Sequence, residues 1–547
     1  MNRSWAFFLA VLFSTSMPAL AIDVSGIVVD ETGNPMRGVM VSAIDSDLGK
    51  SESVFSATDG QFRIDGLEAH PYTIRARTIG KEDGFLENVN PSSKEAHGLK
   101  FTMQPVVDIN EQRLGDNLLS LMKFDNEKDK LNFKMACTYC HQVGTIGFRS
   151  PELPVDWETM ILRMDGFGGL YKHTQETLVA RLLDTYSDEA IARWPDYTPP
   201  SRPDGEVLNA HITEWDIGIE QVTNAHDLEI GQDGLIYIVD MDNGAIIRLD
   251  PETSEQETFP IPGGAHAGRA NRNIGPHSIE ADANGDMWIT LAIAGKMAKF
   301  DTSSHEYTIV SSFPAPAERG LYPHTLRIDK KGTVWYTDAG AGVYSLNPDT
   351  HEVKSYDLPS ADQAIGGGKG ESRGRTPYGI DVAPDGKIWY SKLNGNRVGR
   401  IDPTVPDGDV KEWAPPFRGP RRLHVAPDGI VWVPGFGSGV LGKFDPKTEE
   451  WTVYPLPDAE NQIPYALNVH PTTGEVWICG TGNDTIIRFN PETEKFAHYP
   501  MPSRVTYTRE IEFDDEGNVW TCNSNVPIRH AERGIGSVVR IVWDRSH

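Results

Sequence analysis

A unit of about 45 residues recurs through the C-terminal part of this 547-residue chain. Each copy carries a glycine turn and, three residues later, a tryptophan, between segments that alternate apolar and polar residues as β-strands do. The turn and the tryptophan recur as Gly285 to Trp288, Gly332 to Trp335, Gly386 to Trp389, Gly429 to Trp432, Gly474 to Trp477 and Gly517 to Trp520. An earlier copy has Tyr237 in the tryptophan position, which makes seven copies.

Four antiparallel strands per copy predict the blade of a β-propeller. The last copy stops after its third strand, Val538 to Val542, and an unpaired strand-like segment, Ile212 to Asp216, precedes the first copy. We expect this N-terminal strand to complete the last blade, because a ring closed in this way leaves no long free edge. The sequence therefore predicts a seven-bladed β-propeller over residues 206–547 in a mainly β, multidomain chain.

A second feature, Cys137-Thr-Tyr-Cys140-His141, has the spacing of a c-type haem attachment site. Each cysteine would form a thioether to a haem vinyl group, and His141 would bind the iron. A chance match, or a metal or redox Cys-x-x-C site, is the alternative. Of the other two cysteines, Cys479 and Cys522, we expect buried free thiols, since equivalent positions in neighbouring blades do not face each other.

Residues 106–205 show helical periodicity around this motif, and we assign them to a small α-helical cytochrome c-type domain. The segment from Trp157 to Met164 resembles the Trp-x6-Met helix that small cytochromes c often carry after the haem motif. The resemblance implies Met164 as the second axial ligand, whose thioether would raise the haem potential. Met160, His173 and an open coordination position are the alternatives.

The N-terminal part divides into an export signal and a small domain. Residues 1–21 have a basic start, an apolar run and Ala19-Leu20-Ala21, which predicts a cleaved signal peptide and a periplasmic or secreted protein, with an uncleaved anchor as the alternative. Residues 22–105 alternate strands and turns as a β-sandwich does. The motifs Gly26-Ile-Val-Val-Asp, Gly33-Asn-Pro and Thr58-Asp-Gly-Gln-Phe resemble the carboxypeptidase regulatory-like domain, which implies a spacer or docking module.

The propeller segment resembles the streptogramin (virginiamycin B) lyases in its repeated Pro-x-Gly-Ile, Asp-Gly-x-x-Trp and Arg-Ile-Asp elements. The resemblance implies a lyase site in which a catalytic histidine stands near glutamates that hold Mg²⁺. Two histidine–acid pairs keep the family's spacing here, but with aspartate: His324 with Asp338, and His226 with Asp240. The second glutamate is replaced by Tyr322 and Asn224, so the oxygen ligands of the family's metal site are incomplete.

Residues at the start of each blade's first strand should surround one mouth of the ring. They are His226, His277, His324, Tyr378, Arg421, Tyr465 and Arg509. Ends of the second strands, among them Asp240, Asp338 and Lys392, should reach the same face. Packing has little reason to select histidine, tyrosine or arginine seven times, so we predict a ligand or catalytic site. A hydrated rim that caps strand ends is the alternative.

The same face is basic although the chain has a formal charge of −27, which disfavours nucleic acid as a partner. The arginines in or beside its loops are Arg269, Arg272, Arg373, Arg375, Arg418, Arg422, Arg529 and Arg533. This predicts an anion site, either for a carboxylated or sulfated substrate or for haem propionates of a cytochrome docked over the mouth. A divalent cation, or a transition metal on His226, His277 and His324, is a further alternative.

Taken together, the sequence favours a periplasmic, haem c-dependent oxidoreductase or electron-transfer protein with a small anionic organic substrate. His324 or His226 would be the general base, supported by Asp338 or Asp240. Arg421, Arg509 and Lys392 would hold the anion beside His277, Tyr378 and Tyr465, and a soluble cytochrome or a membrane acceptor would take the electrons. A lyase with an accessory haem and a non-enzymatic electron-relay or docking module are the alternatives.

Overall fold

The computed structural model describes residues 22–145, 149, 157–166, 175–218, 223–263, 274–317, 320–359, 377–406, 408–457, 459–524, 532 and 535–543. The chain is mainly β, with 12% of it helical. The predicted signal peptide lies outside the described residues. Among the described residues, no helix combines the length and the apolar character that crossing a bilayer requires.

The N-terminal domain is a two-sheet β-structure, as predicted. Its strands are β1 (Ile22–Asp30), β2 (Met40–Asp45), β3 (Lys50–Phe55), β4 (Gln61–Leu67), β5 (Tyr72–Arg77), β6 (Gly84–Val89) and β7 (His97–Met103). One sheet has the order β4-β1-β7 and the other the order β3-β2-β5-β6. Alternate residues such as Val24, Val28 and Ile74 point between the sheets and are fully buried, so the apolar face of each sheet is covered by the other.

A short helical segment follows. Its helices are α1 (Gly115–Ser120), α2 (Glu127–Cys137), α3 (Trp157–Gly166), α4 (Gln175–Tyr186) and α5 (Asp188–Ile191). Asn126 begins α2 by accepting a hydrogen bond from the amide of Asp129, which is a normal N-terminal cap. The helices share one apolar cluster that includes Leu118, Phe133, Leu182 and Tyr186. The helices lie within residues 106–205, where the sequence predicts helical periodicity, and α2 ends on Cys137, the first cysteine of the motif.

Each repeat forms one antiparallel sheet of the propeller. Blade one consists of β9 (Ala225–Ile230), β10 (Ile236–Asp240), β11 (Ala245–Leu249) and β12 (Gln256–Pro260), and blade two of β13 (Pro276–Ala281), β14 (Met287–Leu291), β15 (Lys296–Phe300) and β16 (Tyr307–Ser311). Blade three consists of β17 (Pro323–Ile328), β18 (Val334–Asp338), β19 (Val343–Leu346) and β20 (Val353–Tyr356), and blade four of β21 (Ile380–Val382), β22 (Ile388–Lys392), β23 (Arg397–Asp402) and β24 (Asp409–Trp413). Blade five consists of β25 (His424–Val425), β26 (Val431–Gly435), β27 (Val440–Asp445) and β28 (Glu450–Pro455), and blade six of β29 (Pro464–Val469), β30 (Val476–Gly480), β31 (Thr485–Asn490) and β32 (Lys495–Pro500).

The recurring tryptophan fills the space between blades. Trp288 of the second blade, for example, packs in one buried cluster with Leu326 and Tyr336 of the third. The repeated tryptophans are 3% exposed or less, so each blade buries its apolar face against the next. This is the physical reason for the period of the sequence, because a single blade cannot cover its own apolar surface.

The seventh blade is closed by the N-terminal strand, as predicted. It consists of β33 (Glu512–Phe513), β34 (Val519–Asn523) and β35 (Gly536–Val542), completed by β8 (His211–Ile217). Strand β8 also pairs on its other side with β3 of the N-terminal domain, with Ser53 opposite Ile212. Blade seven and one sandwich sheet therefore form a continuous eight-stranded sheet, which the sequence did not predict.

An ion-pair cluster reinforces this junction. Arg75 and Arg77 of β5 each donate to the Pro502 carbonyl at 3.0 Å, and both also pair with Glu532 beside blade seven. Burial alone would raise the pKa of Glu532, but hydrogen bonds and charge from Arg77 lower it to about 2. The carboxylate is therefore ionised at neutral pH and ties the sandwich to the propeller.

We expect the junction to weaken in acid. The unfolded-state pKa of a glutamate is 4.5, so the stabilisation from Glu532 is complete above pH 4.5 and is lost as the pH falls towards 2. The loss should reach about 3 kcal/mol in the free energy of unfolding. A Glu532→Gln variant measured by urea denaturation should show a flatter profile in this window. An unchanged profile would contradict the role given to this carboxylate.

Both remaining cysteines, Cys479 and Cys522, are buried free thiols, which confirms the prediction. Cys479 directs its Sγ atom towards the Glu510 carbonyl at 3.7 Å.

Candidate functional site at the propeller mouth

The first strand of each blade lines the central channel, and the predicted mouth residues are brought together at one end of it. Rings of His226, His277, His324 and Tyr378 follow one another around the channel, with successive centroid separations of 3.9, 4.0 and 4.1 Å. Tyr378 continues the ring through a 2.7 Å hydrogen bond between its hydroxyl and that of Tyr465. All five side chains are buried.

The cysteine motif of the helical segment is held directly against this mouth. Its three consecutive carbonyls accept hydrogen bonds from propeller side chains. The Tyr507 hydroxyl donates to the carbonyls of Thr138 at 2.6 Å and Tyr139 at 2.9 Å. Arg421 Nη2 donates to the Tyr139 carbonyl at 2.9 Å, and Arg509 Nη2 donates to the Cys140 carbonyl at 2.7 Å. The predicted anion-binding arginines therefore bind the backbone oxygens of Tyr139 and Cys140.

Arg421 is the central contact of this docking. Its guanidinium is fully buried and lies 4.6 Å from the ring centre of Tyr139, 4.2 Å from Phe436 and 3.5 Å from Tyr465. Aromatic faces stabilise a guanidinium because their quadrupoles are negative at the face. The Tyr139 side chain, between the two cysteines, thus fixes the motif to the fourth, fifth and sixth blades through one cation.

A second group of contacts holds the residues that flank the motif. Gln142 donates from Nε2 to Asp484 Oδ1 at 2.6 Å and to the Thr506 carbonyl at 2.8 Å. Asp484 also accepts from the amides of Val505 and Thr506, so its buried carboxylate joins blade six, the loop into blade seven and the residue after His141. These contacts fix the C-terminal side of the motif, and Lys134 of helix α2 fixes its N-terminal side. The motif is therefore held on both sides.

Lys134 of α2 is 2% exposed and donates from Nζ to the carbonyls of Glu460 at 3.1 Å and Gln462 at 3.0 Å. Burial lowers its pKa to about 7, with a further contribution from the charge of Lys130 and an opposing one from Glu460. The unfolded chain keeps this amine protonated up to about pH 10.5, whereas the folded chain releases the proton near pH 7.

The stability of the docked form should therefore rise with pH between about 7 and 10.5. The contribution of this one group is on the order of 4 kcal/mol over the window. A Lys134→Met variant should lose that rise when its free energy of unfolding is measured against pH, and Lys128→Met, at an exposed lysine of the same helix, is the matched control. A variant profile that parallels the wild-type profile would contradict the assignment.

The motif itself has the chemistry that an attached haem requires. His141 is buried, and its Nδ1 atom donates to the Gln142 carbonyl at 2.8 Å, which is the tautomer that places the lone pair on Nε2. Burial lowers its pKa to about 4, so the imidazole is neutral at pH 7. Cys137 and the half-buried Met164 pack against one apolar cluster with Leu118 and Phe133, and Cys140 is exposed. These residues fit a haem group.

A redox-active dithiol fits less well. Burial raises the pKa of Cys137 to about 12. Reactive Cys-x-x-C pairs depend on a depressed thiol pKa. The arrangement therefore favours cysteines that form thioether bonds to haem over cysteines that undergo thiol–disulfide exchange.

Neither predicted histidine–aspartate pair is joined by a hydrogen bond among the described residues. Asp338 accepts from the amides of Leu321, Tyr322 and Gly340, and the Nδ1 atom of His324 contacts the Thr325 hydroxyl at 2.8 Å instead. These carboxylate bonds hold the loops at the mouth, because short loops need acceptors for their amides. The general-base roles of the two histidines stay predictions.

Asp240 has the same use in the first blade. It accepts from the amides of Asn224 and Asp242 and from the Asn243 side chain. His226 pairs with its chain neighbour Asp227 at 2.8 Å. The acid beside His226 is therefore Asp227 and not the predicted Asp240.

Lys392 does not join the other predicted mouth residues. It is fully buried and pairs with Glu412 at 2.6 Å, and it also donates to the Pro359 carbonyl. Of the predicted basic loops, Arg418 is exposed and Arg422 is buried against Asp227 and Glu510. The alternative axial ligand His173 and the other six loop arginines lie outside the described residues.

Sequence analysis missed three residues that build the site: Tyr507, Asp484 and Asp227. Tyr507 stands two residues before Arg509, so the alternation of a strand start could have identified it as a second side chain facing the mouth. Asp484 lies in a turn between strands, where an aspartate usually means only a turn. Asp227 follows His226 directly, whereas the resemblance to the lyases implied Asp240 as the acid partner.

Comparisons with known proteins agree with the architecture. Residues 369–530 match the Virginiamycin B lyase family, and residues 23–104 match the carboxypeptidase regulatory-like domain. No curated protein sequence matches the chain.

Two solved lyases share the propeller fold. A streptogramin B lyase is 19% identical with a TM-score of 0.50, covering 62% of this chain and 100% of that one. A catalytically inactive variant of virginiamycin B lyase from Staphylococcus aureus, with quinupristin, is 17% identical with a TM-score of 0.50, covering 61% and 99%. The chain therefore carries a carboxypeptidase regulatory-like domain followed, after a helical segment, by a propeller similar in fold to the streptogramin lyases.

Proposed function

We propose that this protein is an exported electron-transfer protein that carries one covalent haem c. The segment that binds the haem would be docked against the mouth of the propeller. The observation that supports this most is the docking of residues 138–140, whose three consecutive carbonyls accept hydrogen bonds from Tyr507, Arg421 and Arg509. These contacts show that the mouth holds a segment of the same chain, and that segment contains the Cys-x-x-Cys-His spacing of a c-type haem attachment site.

The haem would supply one-electron redox chemistry, and the chain's residues would hold and tune it. Cys137 and Cys140 would attach it, and His141 would bind its iron through Nε2 while the Gln142 carbonyl holds Nδ1. Met164 would supply the second iron ligand, and the cluster around Leu118 and Phe133 would keep water away. Arg421 and Arg509 would keep the motif's backbone in place. An anionic organic substrate and a redox partner at the periplasmic side remain part of this proposal.

The axial ligands provide the test. Protein produced together with cytochrome c maturation factors should have a low-spin haem spectrum, and ferric protein should show the weak long-wavelength absorption of sulfur-ligated iron. Met164→Leu should abolish that band and lower the potential, whereas Met160→Leu, on the same helix, should not. His141→Ala should lose the low-spin spectrum. If Met164→Leu and wild type have identical spectra and potentials, Met164 is not the ligand.

A lyase is the second candidate function, because residues 369–530 match the lyase family and the similar solved structure contains quinupristin. In this protein the mouth histidines are buried beneath the haem motif, and Asp338 and Asp240 hold loops. We therefore expect no linearisation of quinupristin by mass spectrometry with or without Mg²⁺. Turnover that disappears in His324→Ala would favour the lyase over the electron-transfer proposal.

A further inference from the structure

Three side chains on the first strands of blades one and two stand together on the wall of the channel. His226, Asp227 and His277 each offer one ligand atom, and these atoms lie within 4.8 Å of one another. The three residues are 4%, 1% and 3% exposed, so water does not compete freely for them. Two imidazoles and a carboxylate are a donor set that borderline divalent metals prefer.

One buried polar atom in this group, His277 Nδ1, makes no hydrogen bond of normal geometry among the described residues, whereas Asp227 Oδ2 lies 2.9 Å from Arg422 Nη1. A buried polar atom without a partner costs about 1–3 kcal/mol. That cost at His277, beside a second imidazole and a carboxylate, indicates that a bound species satisfies its Nδ1 atom.

The neighbours of the group leave its lone pairs available. The Nδ1 atom of His226 donates to Asp227 Oδ1 at 2.8 Å and to the His277 carbonyl at 3.0 Å, so the lone pair of that ring lies on Nε2. Arg422 Nη1 lies 2.9 Å from both oxygens of Asp227 and donates to Glu510 Oε2 at 2.6 Å, which orients the carboxylate. A carboxylate oxygen has two lone pairs, so Oδ2 keeps one for another ligand. Metal-binding side chains are commonly fixed by such outer contacts.

Charge and protonation are also compatible with a cation. Burial lowers the pKa of His226 and His277 well below the usual value, and the charges of Arg422 and Arg509 act in the same direction. Both rings are therefore neutral near pH 7, as ligands must be. The two carboxylates of Asp227 and Glu510 face two guanidinium groups, those of Arg422 and Arg327, so a cation does not meet a surplus of positive charge in this set. Arg509 directs its guanidinium to the Cys140 carbonyl and Ser524.

We propose that His226, Asp227 and His277 bind a divalent transition metal of the Zn²⁺ class, with an open coordination position in the channel. Bonds of about 2.0–2.2 Å to nitrogen and oxygen require the three atoms to draw together by roughly 1 Å from their present separation. The site lies below the haem motif, because the next rings, His324 and Tyr378, lead to Tyr139. It is chemically independent of the haem, since it uses none of the motif's residues.

The test is Zn²⁺ binding to the full-length protein after removal of metals by a chelator. Cys137→Ala/Cys140→Ala protein is measured beside the haem-containing protein, so that Zn²⁺ on the thiols is recognised and a failure of the haem proposal does not affect the result. Calorimetry and elemental analysis should give one Zn²⁺ per chain in both proteins. His277→Gln and His226→Gln should each weaken binding at least tenfold, and His97→Gln, at an exposed histidine of the sandwich, should have no effect.

Asp227→Asn should also weaken binding, but it breaks the buried ion pair with Arg422 and so lowers stability as well. The histidine variants therefore decide the question. Their fold is checked by circular dichroism. If Zn²⁺ binds with the same affinity and stoichiometry in folded His277→Gln and wild type, or does not bind at all to the double cysteine variant, the proposal is wrong.

Discussion

Replacing Arg421 with methionine should lower the free energy of unfolding by about 3 kcal/mol and release the haem motif from the propeller. The substitution removes a charged donor to the Tyr139 carbonyl and the Tyr378 hydroxyl, and it removes the cation between four aromatic rings. Hydrogen bonds from charged donors and cation–π contacts in buried sites contribute roughly 1.5–3 and 2 kcal/mol. Urea denaturation measures the first effect, and hydrogen exchange at residues 137–142 measures the second.

Arg418→Met is the matched control, because Arg418 belongs to the same loop face but its side chain is exposed. It should change neither quantity by more than a few tenths of a kcal/mol. Equal exchange rates at residues 137–142 in Arg421→Met and wild type would mean that the arginine does not hold the motif.

Replacing Asp484 with alanine should cost about 4 kcal/mol. The buried carboxylate accepts from the Gln142 side chain and from the amides of Val505 and Thr506. Both amides would lose their acceptor, and Gln142 would keep only its bond to the Thr506 carbonyl. Each buried unpaired donor costs about 1–3 kcal/mol. Because Gln142 follows His141, the haem spectrum should also shift towards a mixed or high-spin form.

Asp484→Asn separates these effects. The amide oxygen can still accept from Gln142 and Thr506, so we expect a loss of only 1–2 kcal/mol and an unaltered low-spin spectrum. If the spectrum changes as much in Asp484→Asn as in Asp484→Ala, the change results from loss of the carboxylate charge. It would then not result from a displacement of His141.

Repetition explains why the propeller could be predicted in detail. The glycine turn and the tryptophan of each copy follow from local strand geometry and from packing between blades, so seven copies give the same information seven times. The strand Ile212 to Asp216 was identifiable because one fourth strand was missing. Its second pairing, with β3, was not, because an edge strand carries no sequence signal for the strand it will meet.

The site was predictable in its members but not in their partners. The ring of histidine, tyrosine and arginine at the mouth followed from the alignment of the repeats. That Arg421 and Arg509 would bind backbone carbonyls of the haem motif could not follow, because a carbonyl oxygen is present at every residue and leaves no pattern. Lys392 shows the opposite error. Its position in the repeat predicted a side chain at the mouth, but its ammonium group forms an ion pair with Glu412 of the same blade.

Covalent attachment of haem at Cys137 and Cys140 is the central claim, and the pyridine haemochrome spectrum of purified protein tests it most directly. Protein matured with the cytochrome c factors is extracted with acidified acetone, which removes haem that is not covalently bound. We predict that one haem per chain remains in the protein fraction, with the spectrum of two saturated thioether links, and that Cys137→Ala/Cys140→Ala protein retains none. Haem that extracts completely from the wild type, or haem that the double cysteine variant retains through the same extraction, would contradict the account.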